Sequence, residues 1–370
     1  MIAKNLNSKL WAQKRDDLDI LEKLQNKQRL NFDDGVALYD LPLEVLADFA
    51  NKIRVEKFGK KTYFNINRHI NPTNICKDVC QFCAYSATRK NPNQYTMTHD
   101  EILQIVENSV KNGIKEVHIV SAHNPQTGLL WYLEIFKKIK NSFPQIHVKA
   151  LTAAEINFLA EEYNKSFDEI INLMIDFGVD SMPGGGAEIF DEEVRKRMCG
   201  GKVSSQNWLE IHRLWHKRNR KSNATMLFGH IESRENRIDH MLRLRELQDE
   251  TGGFNAFIPL VYQTENNYLK VKEPLTAHEI LKTIAISRIF LDNIPNIKAY
   301  WATSTIKLAL IAQEYGANDL DGTIEREAIQ SAAGAASKNG IDLAKFTALI
   351  KNSGFTPVER DSVYNELRVF

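Results

Sequence analysis

The chain has 370 residues, 43% hydrophobic and 26% charged, a globular balance that permits a large core. Its formal charge of +1 excludes a general electrostatic field for nucleic acid or for an anionic membrane. Apolar runs are only a few residues long, so none spans a bilayer, and residues 1–17 lack the apolar stretch of a secretion signal; the expectation is a soluble, cytoplasmic protein.

Residues 1–60 read as an N-terminal helical extension, with Leu18, Ile20, Leu21, Leu24 and Leu30 at helical spacing and a second such pattern over residues 42–54. The pattern then changes to alternation over residues 62–68, a strand rich in β-formers. Beyond it, strands and helices alternate. A helix is expected from His99, capped by Thr98, to about Gly113. Then come a strand at 117–120, a helix at 130–141, a strand at 147–151, helices at 154–163 and 167–177, and a weak strand at 180–182. Strands at 224–227, 256–260, 297–301 and 319–322 complete the series, with amphipathic helices at 238–250 and 277–292 between them. The basic cluster from Arg213 to Lys221 reads as a solvated helix end. The last part of the chain, 326–370, reads as a C-terminal helical extension ending in a short polar tail.

Short apolar strands repeated in βα units argue for a parallel sheet with helices outside it. Eight strand candidates over residues 61–325 favour an α/β fold of the (β/α)8 TIM-type barrel over an open doubly wound sheet.

Four cysteines are too few for a disulfide framework, and three of them, Cys76, Cys80 and Cys83, fall within eight positions. They follow the first strand, on the face of a barrel where active sites are built. An iron–sulfur cluster usually takes four cysteines, so three without a neighbouring fourth imply an iron with an open position. A structural zinc site would need a fourth ligand or a second pair of cysteines. Cys199, alone, reads as a small core residue before it reads as a ligand.

The spacing Cys-x-x-x-Cys-x-x-Cys, with the aromatic Phe82 before the last cysteine, resembles the radical S-adenosylmethionine superfamily. Longer stretches resemble the aminofutalosine synthase family within it: the run from Asn65 through Arg68 and His69 to Cys76, and the segments 183–190, 226–232, 247–259 and 319–323. Some of these are shared with the neighbouring dehypoxanthine futalosine cyclases. The resemblance implies a [4Fe–4S] cluster on Cys76, Cys80 and Cys83, with S-adenosylmethionine chelating the open iron and consumed as a substrate. It implies addition of the 5′-deoxyadenosyl radical to 3-[(1-carboxyvinyl)oxy]benzoate, giving aminodeoxyfutalosine and methionine in menaquinone biosynthesis. The alternative is a cyclase-like enzyme whose radical abstracts hydrogen. The implied partners are small molecules and an electron donor such as flavodoxin or ferredoxin, with no nucleic acid and no membrane.

Under that resemblance Phe82 positions the adenine. Where the family places a glycine pair after the second strand, this chain has Ser121, Ala122 and His123, which puts side chains where a backbone would approach the ligand. Ser121 still offers a hydroxyl and a carbonyl. Glu155 binds a ribose or starts a helix. Glu188, after the glycine run 184–186, bonds a ribose hydroxyl or the sulfonium end, or simply opens a helix. His230 acts as acid or base with Glu232 beside it, or packs at the rim. Arg68 and His69 are the first candidates for the substrate carboxylates, with a surface ion pair as the plain reading. Asp319 and Asp321, near the eighth strand, are weaker candidates, for contact with polar groups or as caps of the next helix. Phe257, Tyr300 and Trp301 either line a dry site or belong to the core.

Overall fold

The computed structural model describes residues 15–88, 90–271, 273–324, 328–335 and 340–370. The start of the expected N-terminal helical segment, 1–14, and the expected boundary at 325 lie outside the described residues. Helices begin where a side chain can cap them. Thr98, Thr152 and Ser166 each accept the N–H of a glutamate three residues on, and that glutamate bonds back to the cap. The helix Arg234–Thr251 ends on Gly252 at φ 59°, a left-handed position that glycine reaches without strain.

Ten strands are described: β1 (Lys61–Asn65), β2 (Asn67–Ile70), β3 (Glu116–Ile119), β4 (His147–Ala150), β5 (Ser222–Phe228), β6 (Phe254–Val261), β7 (Asn296–Ile297), β8 (Asp319–Gly322), β9 (Thr356–Arg360) and β10 (Glu366–Val369). Every pairing among β1 to β8 is parallel, as in an α/β fold. β2 pairs with β3 and β3 with β4; β5 pairs with β6 and β6 with β7; β1 pairs with β8. Isolated parallel bridges join the sets, Lys149 to Ser181, Met182 to Ser222, and Lys298 to Asp319.

The expected strand at 180–182 is thus reduced to two bridges, and the one at 297–301 stops early because Trp301 opens a short helix, Trp301–Ser304. The C-terminal segment is not wholly helical. After the helix Leu343–Asn352 the chain returns as β9, parallel to β1, and β10, antiparallel to β9. The reason lies in β1, which breaks at Ile66: β2 turns to β3, leaving one side of β1 to pair with β9 while the other pairs with β8.

The outer helices bury apolar faces against the strands; Phe136, Trp208, Trp215 and Phe254 are among the largest buried side chains. One ion pair ties the C-terminal strands to this body. Arg360 Nε lies 2.5 Å from Asp319 Oδ2, both side chains almost fully buried. Removing one partner of such a pair strands a buried charge, whereas replacing both does not. Arg360→Met is expected to lower stability by about 3–5 kcal/mol, and Arg360→Met with Asp319→Asn to recover most of that loss, as measured by urea unfolding of both variants.

Candidate active site

The loop after β2 carries three thiols into one place. Cys76 N–H donates to Ala87 O at 3.2 Å and Cys83 N–H to Cys80 O at 3.1 Å, which folds the loop into tight turns. Between the cysteines, Gln81 is held from two sides. Its N–H donates to Met198 O at 2.7 Å, and its carbonyl accepts from Tyr268 N–H at 2.7 Å and Leu269 N–H at 3.0 Å. The turn after β3 meets the loop: His123 N–H points at Cys76 Sγ (3.4 Å), and Lys77 N–H donates to His123 O (3.0 Å). His123 Nδ1 lies 2.7 Å from Asp78 Oδ2, and its ring stacks on Phe158.

Cys76, Cys80, Phe82 and Cys83 line a cavity of about 280 Å3 that runs from this loop into the space between the strands. Burial pushes the Cys76 and Cys80 thiols above their usual range, so binding a cation as thiolates would relieve a real electrostatic penalty. Three soft sulfur donors at one cavity wall suit an iron–sulfur cluster. Cys199 is buried in the helix Glu192–Cys199, next to the residue that holds Gln81, but is not among the cavity-lining residues.

The glycine run packs close. A Cβ on Gly184 would meet Asn223 O at 2.7 Å, and Gly186 has φ 89° with Ala154 Cβ where its own would stand. Glu188 follows, with φ 45°, a conformation rare outside glycine. Its carboxylate lines the cavity and pairs with Lys202 Nζ at 2.6 Å. Burial alone would raise its pKa, but Lys202 outweighs burial and holds it below the usual carboxylate range. Lys202 also stands over the Phe82 ring, 5.7 Å from its centroid.

Ser121 lines the cavity beside the cysteine loop. Glu155 stands behind it: one carboxylate oxygen accepts Ser121 N–H at 2.9 Å, and the other accepts Thr152 N–H at 2.7 Å and the Thr152 hydroxyl at 2.8 Å. It therefore caps a helix and anchors the turn, and does not line the cavity. His230 does not line it either. Its Nε2 lies 3.0 Å from Leu227 O and its Nδ1 receives Ile231 N–H at 2.7 Å. Glu232 accepts Gly229 N–H and His230 N–H and pairs with Arg237 at 2.7 Å.

His69 lines both the main cavity and a second cleft, whereas Arg68 lines the second cleft alone, with Tyr95, Met97 and Ile105. Burial lowers the His69 pKa to about 4 despite Asp321 and Glu116 nearby, so the ring is neutral at pH 7 and offers no fixed cation. Of the aromatic candidates, Tyr300 lines the cavity, while Phe257 and Trp301 are buried outside it. The inner end of the cavity holds Asp321, a weaker candidate of the sequence reading, and three charges that reading missed, Glu116, Lys149 and Lys298. Glu116 and Lys149 pair at 2.6 Å, and Lys298 and Asp321 at 3.2 Å, with His118 beside them. Only the strand register, His69 beside His118 beside Lys149, brings them together.

Among the described residues, no helix is long and apolar enough to cross a membrane. Residues 70–244 match the family model described as the radical SAM superfamily, and residues 251–369 match the one described as the CofH/MqnC C-terminal region. The chain is 41% identical to an aminodeoxyfutalosine synthase of Thermus thermophilus, covering 95% of this chain and 96% of that one. It is 35% identical to a cyclic dehypoxanthine futalosine synthase of Halalkalibacterium halodurans, covering 95% of this chain and 95% of that one. A crystal structure of methylornithine synthase superposes with a TM-score of 0.74 over 91% of this chain and 97% of that one, at 17% identity, a likeness of fold.

Glu232, in the turn after β5 and outside the cavity lining, supplies a pH test of how that turn is held. Burial would raise its pKa, but His230, Arg237 and the Gly229 N–H outweigh burial and hold it at about 2. A depressed carboxyl contributes stability above its unfolded pKa of 4.5 and loses it as pH falls toward 2. The stability gap between the apoprotein and Glu232→Gln should be on the order of 3 kcal/mol near neutral pH and shrink across that acid range. Urea midpoints measured at stepped pH read it; a gap that does not vary with pH would contradict it.

Proposed function

The chain belongs to the radical S-adenosylmethionine superfamily, whose cofactors are a [4Fe–4S] cluster and S-adenosylmethionine; from that premise we propose that it is an aminodeoxyfutalosine synthase acting in menaquinone biosynthesis. The observation that carries this reading is the 41% identity to the Thermus thermophilus synthase over nearly the full length of both chains. The substrate would be 3-[(1-carboxyvinyl)oxy]benzoate. Addition of the adenosyl carbon to the vinyl group, migration onto the ring and loss of the carboxyl group would give aminodeoxyfutalosine, with methionine released.

When bound, a [4Fe–4S] cluster would supply the one-electron chemistry that cleaves the sulfonium C–S bond of S-adenosylmethionine. The chain's own residues would do the rest. Cys76, Cys80 and Cys83 ligate the cluster from the loop. Ser121 presents its hydroxyl and carbonyl to the methionyl end, and Glu155 fixes that turn by holding the Ser121 N–H. Phe82 faces the adenine. Glu188, kept ionised by Lys202, accepts a ribose hydroxyl. Leu227, Ile258 and Leu260 on the cavity wall keep solvent hydrogen from a carbon radical. An electron-donor protein of the flavodoxin or ferredoxin kind would supply the electron.

We also infer that β1 to β8, with the bridge at 181–182 as the fourth strand position, close into a (β/α)8 barrel over residues 61–325. What supports it is that the first strand pairs on both flanks, β1 with β8 and β2 with β3, while bridges link the remaining sets. A second reading, a cyclase that abstracts hydrogen, is favoured by the 35% identity to the Halalkalibacterium halodurans protein.

Product analysis separates the two. Anaerobic protein with a reconstituted cluster, dithionite, S-adenosylmethionine and 3-[(1-carboxyvinyl)oxy]benzoate should yield a nucleoside adduct by mass spectrometry, absent with Cys80→Ala. Methionine and 5′-deoxyadenosine without adduct would reject the synthase and keep the superfamily chemistry.

A further inference from the structure

The inner end of the cavity contains two lysines whose ammonium groups are only partly used. Lys149 donates to Glu116 Oε2 at 2.6 Å and Lys298 to Asp321 Oδ1 at 3.2 Å. Among the described residues no further acceptor is recorded for either Nζ, although an ammonium has three donors. Their side chains are 5% and 2% exposed, so the remaining donors can meet only what occupies the cavity they line. Both lysines line the cavity, as do both carboxylates. His118 Nε2, also at this inner end, is buried without a hydrogen-bond partner. Asp321 holds φ 69°, a conformation a non-glycine residue adopts only when its surroundings impose it.

Burying two ion pairs to build a wall is poor economy for stability, because well-packed apolar residues do as well or better. The arrangement makes sense as a receptor. We propose that Lys149 and Lys298 form a carboxylate-binding subsite at the inner end of the cavity, with His118 as a third contact. The ligand class is an aromatic or otherwise apolar acid: Val120, Ile258, Leu260 and Tyr300 line the same cavity, and His118 and Lys149 lie within β3 and β4, whereas the cysteines lie on the loop after β2. This rests on the proposed function and deepens it. The vinyl carbon has to face the cysteine loop, so the benzoate carboxylate is the group that reaches the lysines. It also replaces Arg68 and His69 as carboxylate partners, one facing another cleft and the other neutral.

The test is calorimetric titration of 3-methoxybenzoate and of 3-methoxybenzamide into the cluster-loaded protein with S-adenosylmethionine. The probe is not turned over, so the result is independent of whether the adduct forms. Wild type should bind the acid about tenfold or more tightly than the amide, as one charge-assisted hydrogen bond dictates. Glu116→Gln frees Lys149 and should keep or strengthen acid binding. Lys149→Met with Glu116→Gln, and Lys298→Met with Asp321→Asn, remove each pair without stranding a charge, and should each abolish most of the acid preference while the cluster spectrum stays unchanged. Equal binding of acid and amide by wild type, or acid preference retained in both double variants, would overturn the subsite. Loss of acid binding in Glu116→Gln equal to that in the double variant would also overturn it, since that is the pattern of a purely structural pair. Failure of the adduct assay with a positive titration would reject the synthase alone.

Discussion

The site depends on how the backbone of Gln81 is held. A loop bearing three thiols would wander if tied only at its ends. Here the helix Glu192–Cys199 fixes the Gln81 N–H through Met198, and the segment after β6 fixes its carbonyl through Tyr268 and Leu269. Those three bonds set the positions of Cys80 on one side and of Phe82 and Cys83 on the other. The turn after β3 then closes on Cys76 through the His123 N–H. Elements distant in sequence thus converge on eight residues, and the loop is as well determined as a strand.

The second constraint is the polar interior. A parallel sheet buried on both faces is normally apolar. At the inner end of this cavity, Glu116, Lys149 and Lys298 are buried instead and Asp321 is mostly covered, beside two histidines that burial holds neutral. Their charges cancel in pairs, which makes them tolerable, and leave donors for an anion. The cavity is therefore differentiated along its length. Soft sulfur donors stand at the loop, apolar walls lie between, and cations stand at the far end. A substrate with a reactive carbon at one end and a carboxylate at the other fits that order.

Much of this was legible in the sequence, and the failures have physical causes. The cysteine spacing is local and survives any fold. So do the caps at Thr98 and Thr152, whose partners lie three residues on. β8 was read at its observed bounds, Asp319–Gly322, although Leu320 is its one large apolar residue. β9 and β10 were missed since Pro357 and the charged Glu359, Arg360, Glu366 and Arg368 carry little strand signal; β9 forms by pairing with β1, nearly 300 residues away in sequence, and β10 by pairing back onto β9. Arg68 and His69 were treated as a unit, although only His69 reaches the main cavity. Lys149 and Lys298 were not singled out, since their burial follows from register between strands and from nothing near them in sequence. Glu155 was half legible: its capping role is local, but its bond to the Ser121 N–H crosses between two turns.

The central claim is that three thiols hold a cluster whose remaining iron is reserved for S-adenosylmethionine, and Cys199 is the residue placed to challenge it. Electron paramagnetic resonance of the reduced, reconstituted protein, with S-adenosylmethionine carrying nitrogen-15 in its amino group, tests this most directly. In both wild type and Cys199→Ala, the account predicts a full [4Fe–4S] complement and a hyperfine coupling to the labelled nitrogen. Loss of iron from Cys199→Ala, or a cluster signal in wild type that the labelled cofactor leaves unchanged, would contradict it.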